Sequence, residues 1–142
     1  KNVSDEAVVS NSSDERLESS FASVNEKYFL NLVDRPNLKW GSDSFRKLAS
    51  YDYHTNSITV SSLFQDAPQR LLDYLMYHEM LHKKLKFSSS NGRTRHHGAE
   101  FRRMERQFEG SESIEREINS FLRGRRGIRR KAGWRELLQM WR

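Results

Sequence analysis

The sequence predicts an α+β domain in which helices supply most of the core. A small antiparallel sheet is expected between the first two helices along the chain. Apolar residues recur at helical spacing before Pro36 and after Pro68, and short alternating segments lie between these two prolines. The 142 residues suit one domain with tails. We divide the chain into a flexible lead-in (1–13), a folded domain (14–122) and a basic C-terminal tail (123–142).

The first half of the domain is predicted to hold one helix and the strands. The helix runs from Asp14 to about Leu32, and its apolar stripe is formed by Leu17, Phe21, Val24 and Tyr28. After Pro36, strands are predicted at 38–40, 46–53 and 57–64. The segment His54-Thr55-Asn56 is the turn between the last two strands, so these two are expected to pair as an antiparallel hairpin.

The second half is predicted to be helical. A second helix begins at Pro68 and continues through Leu85, with one face formed by Leu71, Leu72, Leu75, His78 and His82. A polar loop at 88–92 precedes a third helix, which is marked by Phe101, Met104 and Phe108 and ended by Gly110. A fourth helix is outlined by Ile114, Ile118, Phe121 and Leu122, and a short amphipathic helix in the tail by Trp134, Leu137, Leu138 and Trp141.

Composition limits the chemistry that the chain can perform. There is no cysteine, so disulfides, thiolate metal sites and cysteine nucleophiles are excluded, and imidazole and carboxylate must hold any transition metal. No apolar run approaches the roughly 18 residues that a membrane span needs. The net charge of +6 is concentrated at the end of the chain, because residues 123–142 carry +7. Residues 83–106 form a second basic stretch.

The segment His78-Glu79-Met80-Leu81-His82 is the strongest functional signal in the chain. Residues four apart share one face of a helix, so His78 and His82 can bind one metal ion while Glu79 lies beside them. In zinc hydrolases this pattern supplies two ligands and a general base, and zinc lowers the pKa of its bound water toward about 7. The pattern therefore predicts His78 and His82 as zinc ligands and Glu79 as the catalytic base of a peptidase.

A catalytic zinc site needs a third protein ligand. Where metzincins have a glycine and a histidine, this chain has Leu85 and Ser88, so that class is excluded. The remaining candidates are His96, His97 and Glu100. A glutamate on a downstream helix, as in gluzincins, would be Glu100. We favour His97, because Gly98 follows it at the expected helix start and allows close approach of the backbone to the site.

The chain combines His78-Glu79-Met80-Leu81-His82 with a second short motif after a basic loop, His97-Gly98-x-x-Phe101. Together these two motifs resemble those of the SprT-like zinc peptidases, the family that includes Spartan of animals. The resemblance covers about residues 16–110 and implies a zincin-type metalloprotease domain at 14–122. It also implies Zn²⁺ as the cofactor, Glu79 as the base, and a ligand set of His78, His82 and His97. The chain departs from the family pattern in Lys83-Lys84, where members often have a small residue, and in lacking a cysteine-bearing zinc ribbon.

The resemblance implies a function as well. A SprT-like endopeptidase cleaves proteins that are bound or crosslinked to DNA, with DNA as recruiter and activator. Its partners would be protein substrates and single-stranded or junction-containing DNA, held by basic residues near the cleft and in the tail. We expect a monomer without a membrane span. The sequence itself does not determine the compartment, and the resemblance implies the cytoplasm and nucleoid or the nucleus.

Two other functions are compatible with these residues. One is a nucleic-acid-binding module whose zinc is absent or structural, and the other is a minimal gluzincin-type peptidase with no nucleic-acid role. On composition alone, the basic stretches are also explained as solvated faces. Trp134 and Trp141 fit packing better than base stacking, because they are spaced as one helix face. His54 is expected to be structural or solvated in its turn.

Overall fold

A computed structural model describes residues 11–86 and 98–126 of the protein. The helices are α1 (Asn11–Phe29), α2 (Gln69–Lys86), α3 (Ala99–Glu105) and α4 (Ser111–Arg126). The strands are β1 (Asn37–Gly41), β2 (Ala49–Asp52) and β3 (Ser57–Ser61), and a 3-10 turn (Ser62–Phe64) follows β3. The strands lie between the first two helices along the chain, which confirms the predicted α+β class.

The sheet is mixed, with the strand order β1-β3-β2. β2 and β3 form the predicted antiparallel hairpin, and Asn56 in its turn has a left-handed φ of 53°. β1 pairs with β3 in parallel, with Leu38 beside Ile58 and Trp40 beside Val60. The prediction of a wholly antiparallel sheet is therefore wrong for β1. After β1 the chain crosses to the opposite edge of the sheet and forms β2 there, and it then returns as β3 between the other two strands. Four of the five residues of β3 are buried, as suits a central strand.

Two strands are shorter than predicted, and local hydrogen bonds explain where β2 begins and where β3 ends. The strand predicted at 46–53 is confined to β2, because the hydroxyl of Ser44 accepts hydrogen bonds from the amides two and three residues further on. This contact holds the chain in a turn before β2. The strand predicted at 57–64 ends at Ser61, whose hydroxyl accepts a hydrogen bond from the amide two residues on and caps the 3-10 turn.

The centre of the fold is α2. Ten of its residues are buried, and they lie on several sides of the helix rather than on one stripe. The helix begins directly after Pro68, as predicted, and the carbonyl of Pro68 accepts hydrogen bonds from the amides of Leu71 and Leu72. Lysines occupy the last turn, where the helix dipole favours positive charge. α2 contacts the other three helices as well as β2 and β3, so the predicted site lies inside the domain.

The first helix, α1, packs against α2 and β1. Its predicted stripe is buried at Leu17, Phe21 and Val24. The hydroxyl of Ser20 donates to Oδ1 of Asp73 in α2 at 2.7 Å, which aligns the two helices. α1 ends at Phe29, three residues earlier than predicted, because Leu30 and Asn31 adopt left-handed backbone conformations with φ of 54° and 63°.

Arg70 of α2 holds the connection between α3 and α4. Its guanidinium donates to the carbonyl oxygens of Glu109 at 2.6 Å and Gly110 at 2.9 Å, and it pairs with the Glu117 carboxylate at 3.0 Å. Hydrogen bonds from Arg70 and then Ser113 lower the pKa of Glu117, so this carboxylate is ionised at neutral pH. The third helix is shorter than its apolar stripe suggests, but the chain does turn at the predicted glycine.

Replacing Gly110 with alanine is expected to destabilise the fold. The φ of Gly110 is +76°, and a Cβ atom there would lie 2.6 Å from Nη2 of Arg70. We expect the free energy of unfolding in urea to fall by about 1–3 kcal/mol. Gly124→Ala is the matched control, because this helical position has nothing within 4 Å of the added atom, and alanine should stabilise it by up to about 1 kcal/mol. Equal stability of the two variants would contradict this prediction.

Several predicted features lie outside the described residues. They include most of the lead-in (1–10), the segment 87–97, and residues 127–142 with the predicted helix of Trp134 and Trp141. The division into lead-in, domain and tail therefore stays a prediction. Among the helices of the described residues, none is long and apolar enough to cross a membrane.

Two arginines that the sequence assigned to the basic tail belong to the last turn of α4 and contact the domain. Arg125 forms an ion pair with Asp66 in the loop before α2. The guanidinium carbon of Arg126 lies 4.3 Å from the ring centroid of Phe45. The basic run therefore begins as part of the folded unit.

Candidate active site

The predicted site segment lies in the buried part of α2. His78 and Glu79 are 0% and 2% exposed, and His82 is half-buried. The helical spacing places both histidines on one face, and their ring centroids are 5.1 Å apart with an interplanar angle of 71°. The structure therefore brings two predicted ligands together, with the predicted base next to them in the same helix.

Phe101, in the first turn of α3, packs against both imidazoles. Its ring centroid lies 5.0 Å from that of His78 and 4.5 Å from that of His82, and its side chain is buried. Phe101 is the last residue of the second sequence motif. The C-terminal end of that motif therefore packs against the histidines of the first motif. The aromatic ring restricts the orientations that the two imidazoles can adopt and keeps water from one side of them.

One carboxyl group that contacts His78 was not predicted from the sequence. Oε2 of Glu105 lies 3.1 Å from Nδ1 of His78 and accepts a hydrogen bond from the hydroxyl of Tyr74 at 2.8 Å. All three side chains are buried. Glu105 lies one turn after Phe101, within the apolar stripe that continues to Phe108. A charged residue inside that stripe was the signal available in the sequence.

Tyr77 provides a second link between α2 and the end of α3. Its hydroxyl donates to the carbonyl oxygen of Met104, the residue before Glu105. Burial, with smaller contributions from Tyr28 and Glu105, raises the pKa of Tyr77 to about 12. The phenol is therefore protonated at neutral pH and stays a donor. Two tyrosines of α2, Tyr74 and Tyr77, thus hold the end of α3 beside His78.

The third predicted ligand, His97, lies outside the described residues, as does the alternative His96. Glu100, the ligand of the gluzincin alternative, faces solvent. Its side chain is 58% exposed, and its Oε2 lies 3.7 Å from Nη2 of Arg103. Within the described part of the chain, no group of three histidine, aspartate or glutamate side chains is placed to hold a metal ion. This part therefore supplies two members of the predicted ligand set.

The described donors fit a zinc ion, for which imidazole nitrogen is a preferred ligand. Nδ1 of His78 contacts the Glu105 carboxyl, and Nε2 of the same ring is also buried. A hydrogen bond at one ring nitrogen determines which nitrogen is left to bind a metal, and carboxylate contacts of this kind accompany metal-binding histidines. His78 and His82 would hold the ion, with Glu79 beside them for proton transfer.

Cations and aromatic rings border the C-terminal end of the site helix. This basic-aromatic rim consists of Tyr51, Tyr53, Asn56, Lys83 and Lys86. Lys83 lies one turn beyond the predicted base, and its Nζ donates to Oδ1 of Asn56 at 3.0 Å. Lys86 lies one turn beyond the second histidine, and its Nζ is 4.8 Å from the ring centroid of Tyr53 and 5.5 Å from that of Tyr51. Tyr53 is 50% exposed, so the rim presents an aromatic face together with positive charge.

Known proteins match this chain in sequence family and in fold. The SprT-like family model matches residues 17–120. Two crystal structures of metallopeptidase zymogens are similar over 75% of the chain. Jannalysin of Methanocaldococcus jannaschii is 21% identical with a TM-score of 0.58 and 96% of its chain covered. Abylysin of Pyrococcus abyssi is 17% identical with a TM-score of 0.60 and 95% covered. At these identities the likeness shows the fold. No curated protein matches the chain.

Proposed function

The chain belongs to the SprT-like family, and from this premise we propose that it is a zinc-dependent endopeptidase that cleaves proteins bound or crosslinked to DNA. In this proposal His78, His82 and His97 hold the zinc ion and Glu79 is the general base. The observation that carries it is the pair of imidazoles on one face of a buried helix, with a buried carboxyl at Nδ1 of His78. The metallopeptidase fold of jannalysin and abylysin supports the same class.

Proton transfer in this proposal belongs to Glu79. Zinc, when bound, lowers the pKa of a water molecule and polarises the scissile carbonyl group. The Glu79 carboxylate takes the proton from the attacking water and returns it to the leaving amine. Because the side chain of Glu79 is only 2% exposed, bulk water competes little for that proton. Phe101 shields the two imidazoles on one side, which keeps the ligands in a fixed orientation.

The substrate backbone binds along β2 in this proposal. β2 is an edge strand of the sheet, and it contacts α2, the helix of Glu79. An edge strand presents backbone donors and acceptors that can pair with an extended peptide. A peptide paired in this way has the middle of its chain, and not one of its ends, beside the site helix. This arrangement suits an endopeptidase and favours unfolded substrate segments.

The basic-aromatic rim supports DNA as the second partner. Its lysines can pair with phosphates, with an affinity that falls as salt is added, and the half-exposed ring of Tyr53 can stack on an unpaired base. The exposed side chains of Arg102 and Arg103 on α3, and of Arg106 directly after it, add positive charge. Because the rim begins one turn beyond the site, DNA held there brings an attached protein close to Glu79.

Cleavage of an unfolded protein such as casein, with and without single-stranded DNA, tests the proposed function. We expect cleavage that a chelator removes, that zinc restores and that DNA stimulates. Salt-dependent DNA binding without any cleavage would instead support the nucleic-acid-binding module. Cleavage on which DNA has no effect would support a peptidase with no nucleic-acid role.

Rim variants test the DNA surface directly. Tyr53→Ala should weaken binding of single-stranded DNA by about 1–3 kcal/mol through lost stacking. Lys86→Ala should lower the magnitude of the slope of log K against the logarithm of the salt concentration by about one, the contribution of one phosphate contact. Fluorescence anisotropy at several salt concentrations measures both effects. Lys27→Ala is the matched control, because it removes the same charge from α1, where Lys27 pairs with Glu109. Equal affinity of all three variants would show that the rim does not bind DNA.

A further inference from the structure

We propose that Glu105 is a positioning residue of the metal site: held by Tyr74, it orients the imidazole of His78 and strengthens its bond to zinc. This inference rests on the proposed function, because it requires a zinc ion at Nε2 of His78. It assigns a role in that function to a residue that lies outside both sequence motifs.

The burial of Glu105 is the first reason. Its side chain lies among buried groups, with Glu105 4% exposed, His78 0% and Tyr74 1%. Burying an ionisable carboxyl group is unfavourable unless it is hydrogen-bonded, and an apolar side chain would pack here at lower cost. The neighbouring positions on the same stripe are apolar, at Phe101 and Phe108. A carboxyl group at this one position therefore points to a chemical role beyond packing.

The direction of the hydrogen bonds is the second reason. Oε2 of Glu105 accepts from the Tyr74 hydroxyl at 2.8 Å and lies 3.1 Å from Nδ1 of His78. In this proposal Glu105 is ionised, and an ionised carboxyl group only accepts, so Nδ1 carries the hydrogen and donates it. The lone pair of the neutral imidazole is then on Nε2, the nitrogen that binds the metal. A carboxylate at Nδ1 also makes the ring a stronger donor to the metal.

Glu105 is not itself a metal ligand in this arrangement. The two nitrogens of an imidazole point in divergent directions, so a carboxyl group at Nδ1 of His78 does not share an ion bound at Nε2 of the same ring. Its role also differs from that of Glu100 in the gluzincin alternative, because the side chain of Glu100 is 58% exposed.

Helix α3 explains how this contact is kept in place. Phe101 and Glu105 are one turn apart on α3, and both contact His78. The hydrogen bond from Tyr77 to the carbonyl of Met104 fixes the end of the same helix against α2. One short helix thus carries the shielding ring and the positioning carboxyl group.

Zinc affinity of the full chain tests this proposal. The affinity is measured by competition with a chromophoric chelator at pH 7, well below the unfolding temperature. Glu105→Gln keeps the shape of the side chain and an acceptor but removes the charge, and we expect about 10- to 100-fold weaker zinc binding. Tyr74→Phe should weaken binding in the same direction by a smaller factor. The d–d absorption of the Co²⁺-loaded Glu105→Gln protein should also shift, which a purely structural role would not cause.

Two control variants separate the outcomes. Glu117→Gln removes a carboxylate that Arg70 binds elsewhere, so it should leave zinc affinity unchanged even if it lowers stability. Wild-type zinc affinity in both Glu105→Gln and Tyr74→Phe would overturn the positioning role, whatever their thermal stability. If His78→Ala binds zinc as tightly as the wild type, the proposed metal site itself is wrong. If His78→Ala loses zinc while Glu105→Gln does not, only the role of Glu105 is wrong.

Discussion

Glu79→Gln is expected to slow peptide hydrolysis severely while zinc stays bound. The glutamine amide cannot take a proton from water, so the rate should fall by about 10²- to 10⁴-fold, the usual contribution of a general base. Glu79 is 2% exposed, and glutamine has almost the same shape, so the helix should pack as before. Zinc content and casein hydrolysis are measured on the same preparation, which separates loss of the base from loss of the metal.

The control for this variant is Glu26→Gln, which makes the same chemical change at an exposed position of α1. It should hydrolyse casein at the wild-type rate. Undiminished hydrolysis by the zinc-loaded Glu79→Gln protein would show that another group is the base. The assignment of the mechanism to the helix motif would then be wrong.

The second large effect is expected at the third ligand: His97→Ala should lose zinc, and Glu100→Ala should keep it. The Glu100 side chain is 58% exposed and lies near Arg103, so its removal leaves the two imidazoles of α2 as they are. Loss of a direct ligand should weaken zinc binding by more than the roughly 10- to 100-fold that loss of an outer partner costs. Zinc affinity by chelator competition measures the difference.

Two further histidine variants complete this test. His54→Ala is the matched control, because His54 is exposed in the hairpin turn, and it should bind zinc like the wild type. His96→Ala should do the same if His97 is the ligand. Retention of zinc by His97→Ala together with its loss in Glu100→Ala would establish the gluzincin ligand set instead.

The helices were the most predictable part of the fold, because their apolar spacing is a local property. The stripe of α1 and the start of α2 after Pro68 were both predicted correctly. The end of α1 was not, since Leu30 and Asn31 leave the helix through left-handed conformations that nothing in the spacing of apolar residues indicates. Leu32 continues the apolar pattern but is 76% exposed, so the pattern alone extends the helix too far.

The pairing of the strands was only half predictable. The β2–β3 hairpin follows from turn residues next to each other in the chain, and it was predicted. The parallel pairing of β1 with β3 joins residues such as Leu38 and Ile58, which are 20 positions apart, and no turn signal connects them. The direction of β1 depends on where the intervening segment crosses the sheet, which is a tertiary property.

In the candidate site, the residues of the helix motif were predictable from the sequence, but the groups that surround them were not. His78, Glu79 and His82 are local in sequence, and helical spacing alone brings the two rings together. Glu105 lies 27 positions after His78, and only the packing of α3 on α2 creates that contact. The same reason applies to Arg125, which looked like part of a solvated basic run and instead pairs with Asp66.

An anomalous difference map, recorded at the zinc absorption edge from crystals of the zinc-loaded protein, tests the central claim most directly. We predict one peak at about 2.0–2.1 Å from a ring nitrogen of each of His78, His82 and His97, with Nε2 as the donor atom of His78. The absence of a peak between the rings of His78 and His82, or a peak ligated by Glu100 in place of His97, would contradict this account.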